Sequence, residues 1–274
     1  MKRGLLKALL VLTEFALLAS AARAQSPPSH AKIELIADQS PPRGNARLQA
    51  GLLFHLDPGW HIYWQNAGDS GEPPKIIWNL PAGFVLGPLE WPAPKRLGSG
   101  SIIDYGYEDQ VLLLAPIKTP MSFDYESREN VQFVADVKYV VCREVCIPGN
   151  AHLTLTLPIS DAAQAREWHE QFEQARRKIP KPAPAAWKIS ARAAQNNLIL
   201  TIAGVPPANS VTFFPLAAGV IENSAPQLLA TDRAGIHLTL KMSDQAPGPP
   251  KQLKGVLVLD GTSAYQIGAP VVSK

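Results

Sequence analysis

Much of what this sequence can be follows from what it lacks. It holds two cysteines in 274 residues and three methionines, one of them Met1. A multi-disulfide scaffold and a methionine-rich tract for soft metals are both excluded by those numbers. The N-terminal apolar run, Ala8 to Leu18, is shorter than the roughly 20 residues that a membrane-spanning helix needs, and no second such run follows. Neither a serine-hydrolase elbow nor a phosphate-binding glycine loop occurs. Charge of one sign is also missing once the leader is considered. Lys2, Arg3 and Lys7 precede the apolar run, Glu14 interrupts it, and Ala22-Arg23-Ala24 supplies the small-x-small pattern of an export signal. Residues 1–24 are therefore expected to be a signal peptide cut before Gln25, leaving no transmembrane segment in the mature chain. Removing them takes away four of the 26 basic residues and one of the 23 acidic ones, which leaves 22 of each. The sequence pI of about 8.8 thus belongs mostly to the leader, and nucleic acid is not an expected partner.

What is present is turn chemistry and short apolar runs. The chain has 26 prolines and 19 glycines. Between them lie "AKIELIA", "RLQAGLLFHL", "VLLLAPI", "VQFVADVKYVV" and "HLTLTLP", which read as strands within residues 25–158. Ser160 is placed to cap a helix whose apolar positions Ala165, Trp168, Phe172, Ala175 and Ile179 step by three and four, with Arg176, Arg177 and Lys178 suiting its C-terminal dipole. Pro180, Pro182 and Pro184 then predict a stiff spacer, so residues 159–185 read as helix and Pro-rich linker. Strand texture returns over residues 186–274 in "WKISARA", "NLILTIAG", "VTFFPL", "IHLTLKM" and "GVLVLDG". The expected fold is all-β: one β-sandwich, then a second β-rich domain, joined by one helix and the Pro-rich linker.

Both cysteines fall in "VVCREVCIPG", residues 140 to 149. Residues four apart on an extended strand are separated by about 13 Å, whereas a disulfide needs Cα atoms roughly 4.4 to 6.8 Å apart. If Cys142 and Cys146 are joined, the chain must turn at Arg143-Glu144-Val145, at the tip or neck of a hairpin. Three uses compete. A structural staple of so short a loop contributes only about 2 kcal/mol in the loop-closure model. A redox pair needs only the two sulfurs, and Arg143 beside Cys142 favours a thiolate unless it is simply solvated. A Cu(I) clamp would use Cys142, Cys146 and His152, and "VCREVCIP" resembles the copper-binding segment of the Sco chaperones, whose fold is thioredoxin-like rather than β-rich.

The other distinctive stretch is "GWHIYWQNAGDSGEPPKIIWNLPAGF", residues 59 to 84. Trp60, Tyr63, Trp64 and Trp78 beside its Gly-rich turn read as core and corner packing. Asp69 and Glu72 have no partner carboxylate at a catalytic spacing, and His55 and His61 flank a turn without the further ligands that zinc requires.

Taken with "LEWPAPKRL", "IIDYGYEDQVLLL" and "VKYVVCREVCIPGNAHLTLTLP", that stretch resembles the N-terminal periplasmic domain of the thiol:disulfide interchange protein DsbD, in particular its ScsB, or suppressor-of-copper-sensitivity, branch. The resemblance spans residues 30 to 158. "FFPLAAGVIENSAPQ" and "GVLVLDG" are more loosely similar to the second β domain of that branch. It implies an immunoglobulin-like first domain, a periplasmic location and a redox-active disulfide between Cys142 and Cys146. It also implies a protein-disulfide reductase module, fed by a membrane-embedded thiol reductase and passing electrons to a periplasmic thioredoxin-like oxidoreductase, with no cofactor. By the same resemblance Cys146 faces the partner; Pro148 lacks an N–H and should end strand pairing there, and Cys142, after the apolar run "VKYVV", should sit further into the sandwich as the resolving thiol. The family shields its disulfide with an aromatic residue before Tyr-Gly. Asp104 stands at that position here, which leaves Tyr105 or Tyr107 as the substitute. A copper-tolerance factor that binds Cu(I), and a docking module with an inert disulfide, are the alternative functions.

Overall fold

The computed structural model describes residues 29–41, 44–98, 100–121, 129–159 and 167–273. The leader, Ser160 and Ala165 lie outside these. Ten strands come first: β1 (Ala31–Ala37), β2 (Arg47–Leu56), β3 (His61–Gly68), β4 (Lys75–Asn79), β5 (Val85–Leu86), β6 (Lys95–Leu97), β7 (Asp104–Glu108), β8 (Gln110–Lys118), β9 (Asn130–Cys142) and β10 (Cys146–Pro158). They form two antiparallel sheets, ordered β1-β2-β8-β5 and β10-β9-β3-β7-β6, with β4 paired to β9.

Sequence pattern explains the layering. In β9 the residues alternate between buried and more open, so one face packs inward. The inward residues Val131, Phe133, Ala135 and Val137 meet Leu52, Phe54, Leu113 and Ala115 of the facing sheet in one core. By contrast β2 and β8 carry continuous apolar runs and are buried on both faces. Their second face is covered by α1 (His169–Lys178), whose Phe172 and Ala175 pack on Ile36, Leu53, Leu112 and Leu114. Gly51 makes this seat possible, because a Cβ there would come within 2.6 Å of Leu112 and 3.3 Å of the Phe172 ring. Arg176 of the helix ties back to Asp38 and Gln49. Two stacked antiparallel sheets over a shared core make an immunoglobulin-like β-sandwich.

The third sheet is built from later residues: β11 (Lys181–Pro182), β12 (Lys188–Ala194), β13 (Asn197–Ala203), β14 (Val211–Pro215), β15 (Leu228–Asp232), β16 (Gly235–Lys241), β17 (Gln252–Leu259) and β18 (Ser263–Ser273). Its order is β14-β17-β18-β12-β13-β16-β15. The long β18 pairs first with β17 and then, over Val271–Ser273, in parallel with β12. Both halves share a second core around Leu200, Phe213, Leu238 and Leu257.

The proline stretch does not behave as a free spacer. Pro180 is buried, Lys181 and Pro182 pair with Tyr265 and Gln266, and the Ala183 N–H donates to the Gln266 carbonyl at 3.2 Å. Prolines fix φ in the extended range that this pairing uses.

The two cores also touch. Phe214 of β14 and Val256 of β17 belong to the first core, with the Phe214 ring edge-on to Trp64 at 6.3 Å and to Tyr105 at 5.1 Å.

Candidate functional site

Strands β9 and β10 form a hairpin in register from Asn130↔Pro158 up to Cys142↔Cys146. Beyond that pair the chain turns through Arg143-Glu144-Val145, closed by the Arg143 N–H on the Val145 carbonyl at 3.2 Å. Cys142 and Cys146 are joined in a disulfide across the neck, their Cα atoms 4.2 Å apart, near the spacing of closely set antiparallel pairs, about 4.5 Å. The two sulfur-bearing residues differ in access. Cys142 is 3% exposed at the end of β9, whereas Cys146 opens strand β10 at the surface.

What lies against the disulfide comes from β3. His61 is the register partner of Cys142, and two residues on, on the same strand face, the Tyr63 hydroxyl sits 3.5 Å from Cys146 Sγ. Tyr63 is fully buried. Its ring is covered by the turn after β3: a Cβ on Gly71, which has φ +64°, would fall 2.0 Å from the ring.

From the Tyr63 hydroxyl a polar chain leads inward. Tyr63 Oη lies 3.2 Å from Ser70 Oγ, and Ser70 donates to Asp104 twice, from Oγ to Oδ2 at 2.8 Å and from the backbone N–H to Oδ1 at 2.9 Å. His61 Nε2 is 3.5 Å from Asp104 Oδ2, too long for a hydrogen bond but close enough for an ion pair whenever the ring is protonated. That nitrogen is buried and has no hydrogen-bond partner among the described residues.

Protons in this chain are assigned by charge. Burial alone would raise the carboxyl of Asp104, but His61 and the two Ser70 donors outweigh it and hold the group below the usual carboxylate range. An ionised Asp104 takes the Ser70 hydroxyl proton, so Ser70 has none to give Tyr63. Burial, opposed by Ser70 and helped by the Asp104 charge, pushes the Tyr63 hydroxyl above its ordinary value, so it keeps its proton. That single proton has two acceptors in reach, Ser70 Oγ and Cys146 Sγ.

The other expected residues are placed as follows. Tyr105 and Tyr107 do not cover the disulfide. Alternation on β7 turns both into the sandwich core, where Tyr105 donates to Asn223 Oδ1 and Tyr107 to the Pro92 carbonyl, each at 2.7 Å. Asp104, between Ile103 and Tyr105, faces the other way and so joins the site. Pro148 does not end pairing: it sits opposite Val140 in an uninterrupted ladder. It is accommodated because β10 is the edge of its sheet, where a missing N–H need not break a second ladder. Arg143 is exposed, with Glu144 3.8 Å away. His152 does not converge on the cysteines. It shares the exposed side of β10 with Cys146 but lies six residues on, about 20 Å along the strand, and its Nδ1 is 2.6 Å from Asp136 on β9. No group of three or more metal-ligating side chains occurs among the described residues.

Tyr63 and Ser70 are the two residues that the sequence reading missed. Tyr63 is 83 residues from Cys146 in the chain, and its aromatic neighbours gave it the look of core. The period-2 spacing of His61 and Tyr63 was the available signal.

Residues 34–158 match the family model for the thiol:disulfide interchange protein DsbD, N-terminal. Among solved structures, the chain is similar to the N-terminal periplasmic domain of ScsB from Proteus mirabilis, with 20% identity over 89% of this chain and 94% of that one and a TM-score of 0.63. The periplasmic chaperone SfaE (13% identity, 89% and 100% covered, TM-score 0.24) and the tandem Ig repeats of Dlar (14%, 90% and 99%, 0.25) also match, at scores too low to carry an argument. No curated protein matches the chain.

Proposed function

We propose, from a first domain that belongs to the DsbD N-terminal family, that this chain is an exported, periplasmic relay for reducing equivalents that works through Cys142 and Cys146. The observation that carries this reading is the unequal access of the two cysteines, Cys146 at the surface and Cys142 buried. A staple has no use for that asymmetry, whereas exchange needs one sulfur that meets the partner and one that resolves.

The chemistry balances as two electrons and two protons. A dithiol of a membrane-embedded reductase attacks the disulfide and leaves it as two thiols, its own pair becoming oxidised. The Cys146 thiolate then attacks the disulfide of a thioredoxin-like oxidoreductase, forming a mixed disulfide and expelling one partner thiolate. Cys142, as thiolate, attacks Cys146 Sγ. The intramolecular disulfide re-forms and the partner leaves with both thiols reduced.

The neighbours of the pair have a role in each step. In the oxidised state the Tyr63 proton rests toward Ser70, since a disulfide sulfur accepts weakly. Once Cys146 is a thiolate the same proton turns to sulfur, where a charge-assisted bond is about twice as strong. A donor whose bond strengthens on reduction favours the thiolate form and lowers the barrier to its formation. Arg143 at the tip adds a solvent-screened positive charge. Edge strand β10 offers unpaired backbone groups along which a partner segment can dock.

The test is trapping. Cys142→Ala should accumulate a mixed disulfide between Cys146 and a thioredoxin-like protein, seen as a band on non-reducing electrophoresis that dithiothreitol removes; Cys146→Ala should accumulate little. Equal trapping by both would refute the division of roles. Trapping by neither would return the pair to a structural staple.

A further inference from the structure

The exchange reading concerns the first sandwich, but the site's supporting loop is held from the second. Asn223 follows Ile221 in the later β-rich part and is 7% exposed. Its amide nitrogen donates to Asp69 Oδ1 and its amide oxygen accepts from the Tyr105 hydroxyl, both at 2.7 Å, while its backbone carbonyl accepts from Arg96. Every one of these partners lies in the first sandwich. Asp69 immediately precedes Ser70, and Tyr105 immediately follows Asp104. Ser70 and Asp104 bond each other on the side facing the disulfide. Between the two segments, Asp69 and Ile103 exchange two further bonds, Asp69 N–H to the Ile103 carbonyl at 3.1 Å and Ile103 N–H to Asp69 Oδ2 at 2.8 Å, with Gly68 paired to Asp104 beside them.

We infer that Asn223 is a positioning residue for thiol exchange: from the second β-rich part it clamps residues 69 and 105 together, and so fixes the Ser70–Asp104 pair that aims the Tyr63 hydroxyl at Cys146. This rests on the exchange reading. Two features make the clamp specific rather than general packing. An amide is the side chain that donates to a carboxylate and accepts from a phenol at once. Asn223 also touches neither sulfur nor Tyr63, so its influence on the thiol passes through the two segments it joins.

The test reads thiolate chemistry without any partner protein, so it is independent of whether the relay partners are correctly assigned. The full mature chain is reduced, and alkylation of Cys146 by iodoacetamide is followed against pH, with mass spectrometry separating Cys146 from Cys142. Loss of one well-aimed hydrogen bond to the thiolate corresponds to about a 3- to 10-fold effect. Asn223→Ala should therefore slow alkylation at pH 7 by about that factor and move its pH midpoint upward. Tyr63→Phe should do the same, and the double variant should be no slower than either, since both act on one bond. Asn223→Asp keeps the shape and the Tyr105 contact but loses the donor to Asp69, and it should shift the midpoint in the same direction if Asn223→Ala fails to fold. An unchanged midpoint in a folded Asn223 variant, or effects of Asn223 and Tyr63 that multiply, would overturn the inference.

Discussion

In the proposed exchange Cys146 and Tyr63 would carry the chemistry, and Asp104 is the group on which the polar chain between them ends. Because Asp104 is held below its ordinary carboxylate range in the folded protein, its ionisation stabilises the native state. That contribution is complete above the unfolded value, about 3.9, and is lost as pH falls through the lowered folded value. Asp104→Asn should therefore destabilise the protein by about 1–3 kcal/mol at neutral pH, through a Ser70 donor left without its acceptor. It should also flatten the acid limb of the stability curve below pH 4. Denaturant titrations from pH 3 to 7 check both, and an acid limb unchanged from that of the native sequence would show that Asp104 does not carry the linkage. Tyr63→Phe removes one hydroxyl from a buried site and should cost exchange with glutathione about 3- to 10-fold while changing stability by no more than about 1 kcal/mol. A large stability loss with unaltered exchange would make Tyr63 a packing residue.

At the scale of elements, the strands that could be read from sequence are those whose pattern is set by one or two buried faces. The runs "AKIELIA" and "RLQAGLLFHL" became β1 and β2 with no change of boundary, and "VQFVADVKYVV" alternates in β9 as its residues predict. β3 was hidden because "HIYWQNAG" mixes aromatics with polar residues: its Tyr63 side meets the disulfide and the turn above it, while Trp64 and Asn66 meet Phe214 and the Pro215 carbonyl. A strand that faces a site on one side and another domain on the other has no clean hydrophobic period. β18 was hidden by the glycine and proline inside "SAYQIGAPVVS". The cysteine pair itself was legible, since four residues and an expected disulfide force a hairpin. Its surroundings were not, because they arise from the turn after β3 folding over Tyr63. That turn gives an element-scale prediction. Gly71→Ala places a Cβ into the Tyr63 ring at a positive φ, where an L side chain is strained in any case. It should displace Tyr63 from Cys146 and destabilise the protein by more than 1 kcal/mol, with exchange slowed to the level of Tyr63→Phe. Full exchange activity in Gly71→Ala would mean that the turn can shift without moving the tyrosine.

For the whole molecule, the question is whether the two β-rich parts act as beads on a string or as one body. From sequence, the proline stretch reads as a stiff linker between two domains. In the structure that stretch is paired to β18, and Phe214 enters the first core against Trp64 and Tyr105. Apolar contact of this kind joins the parts more firmly than a polar, solvated interface would, and the default expectation of free inter-domain motion holds only where the shared surface is small or wet. The polar clamp at Asn223 adds direction to that contact, because Asn223 and Phe214 both meet the Tyr105 side chain while Asn223 also holds Asp69 beside Ser70. Phe214→Ala should then uncouple the parts. A large-to-small change at a buried aromatic costs about 3–5 kcal/mol. Here that cost should appear as a second unfolding transition and as cleavage near residues 180–184 under limited proteolysis that is faster than in the native protein. Thiol exchange should weaken in parallel, since the brace behind Tyr63 loosens with the interface. If Phe214→Ala instead unfolds in one step and shows no cleavage in that segment, the two parts are held together by contacts other than this aromatic insertion.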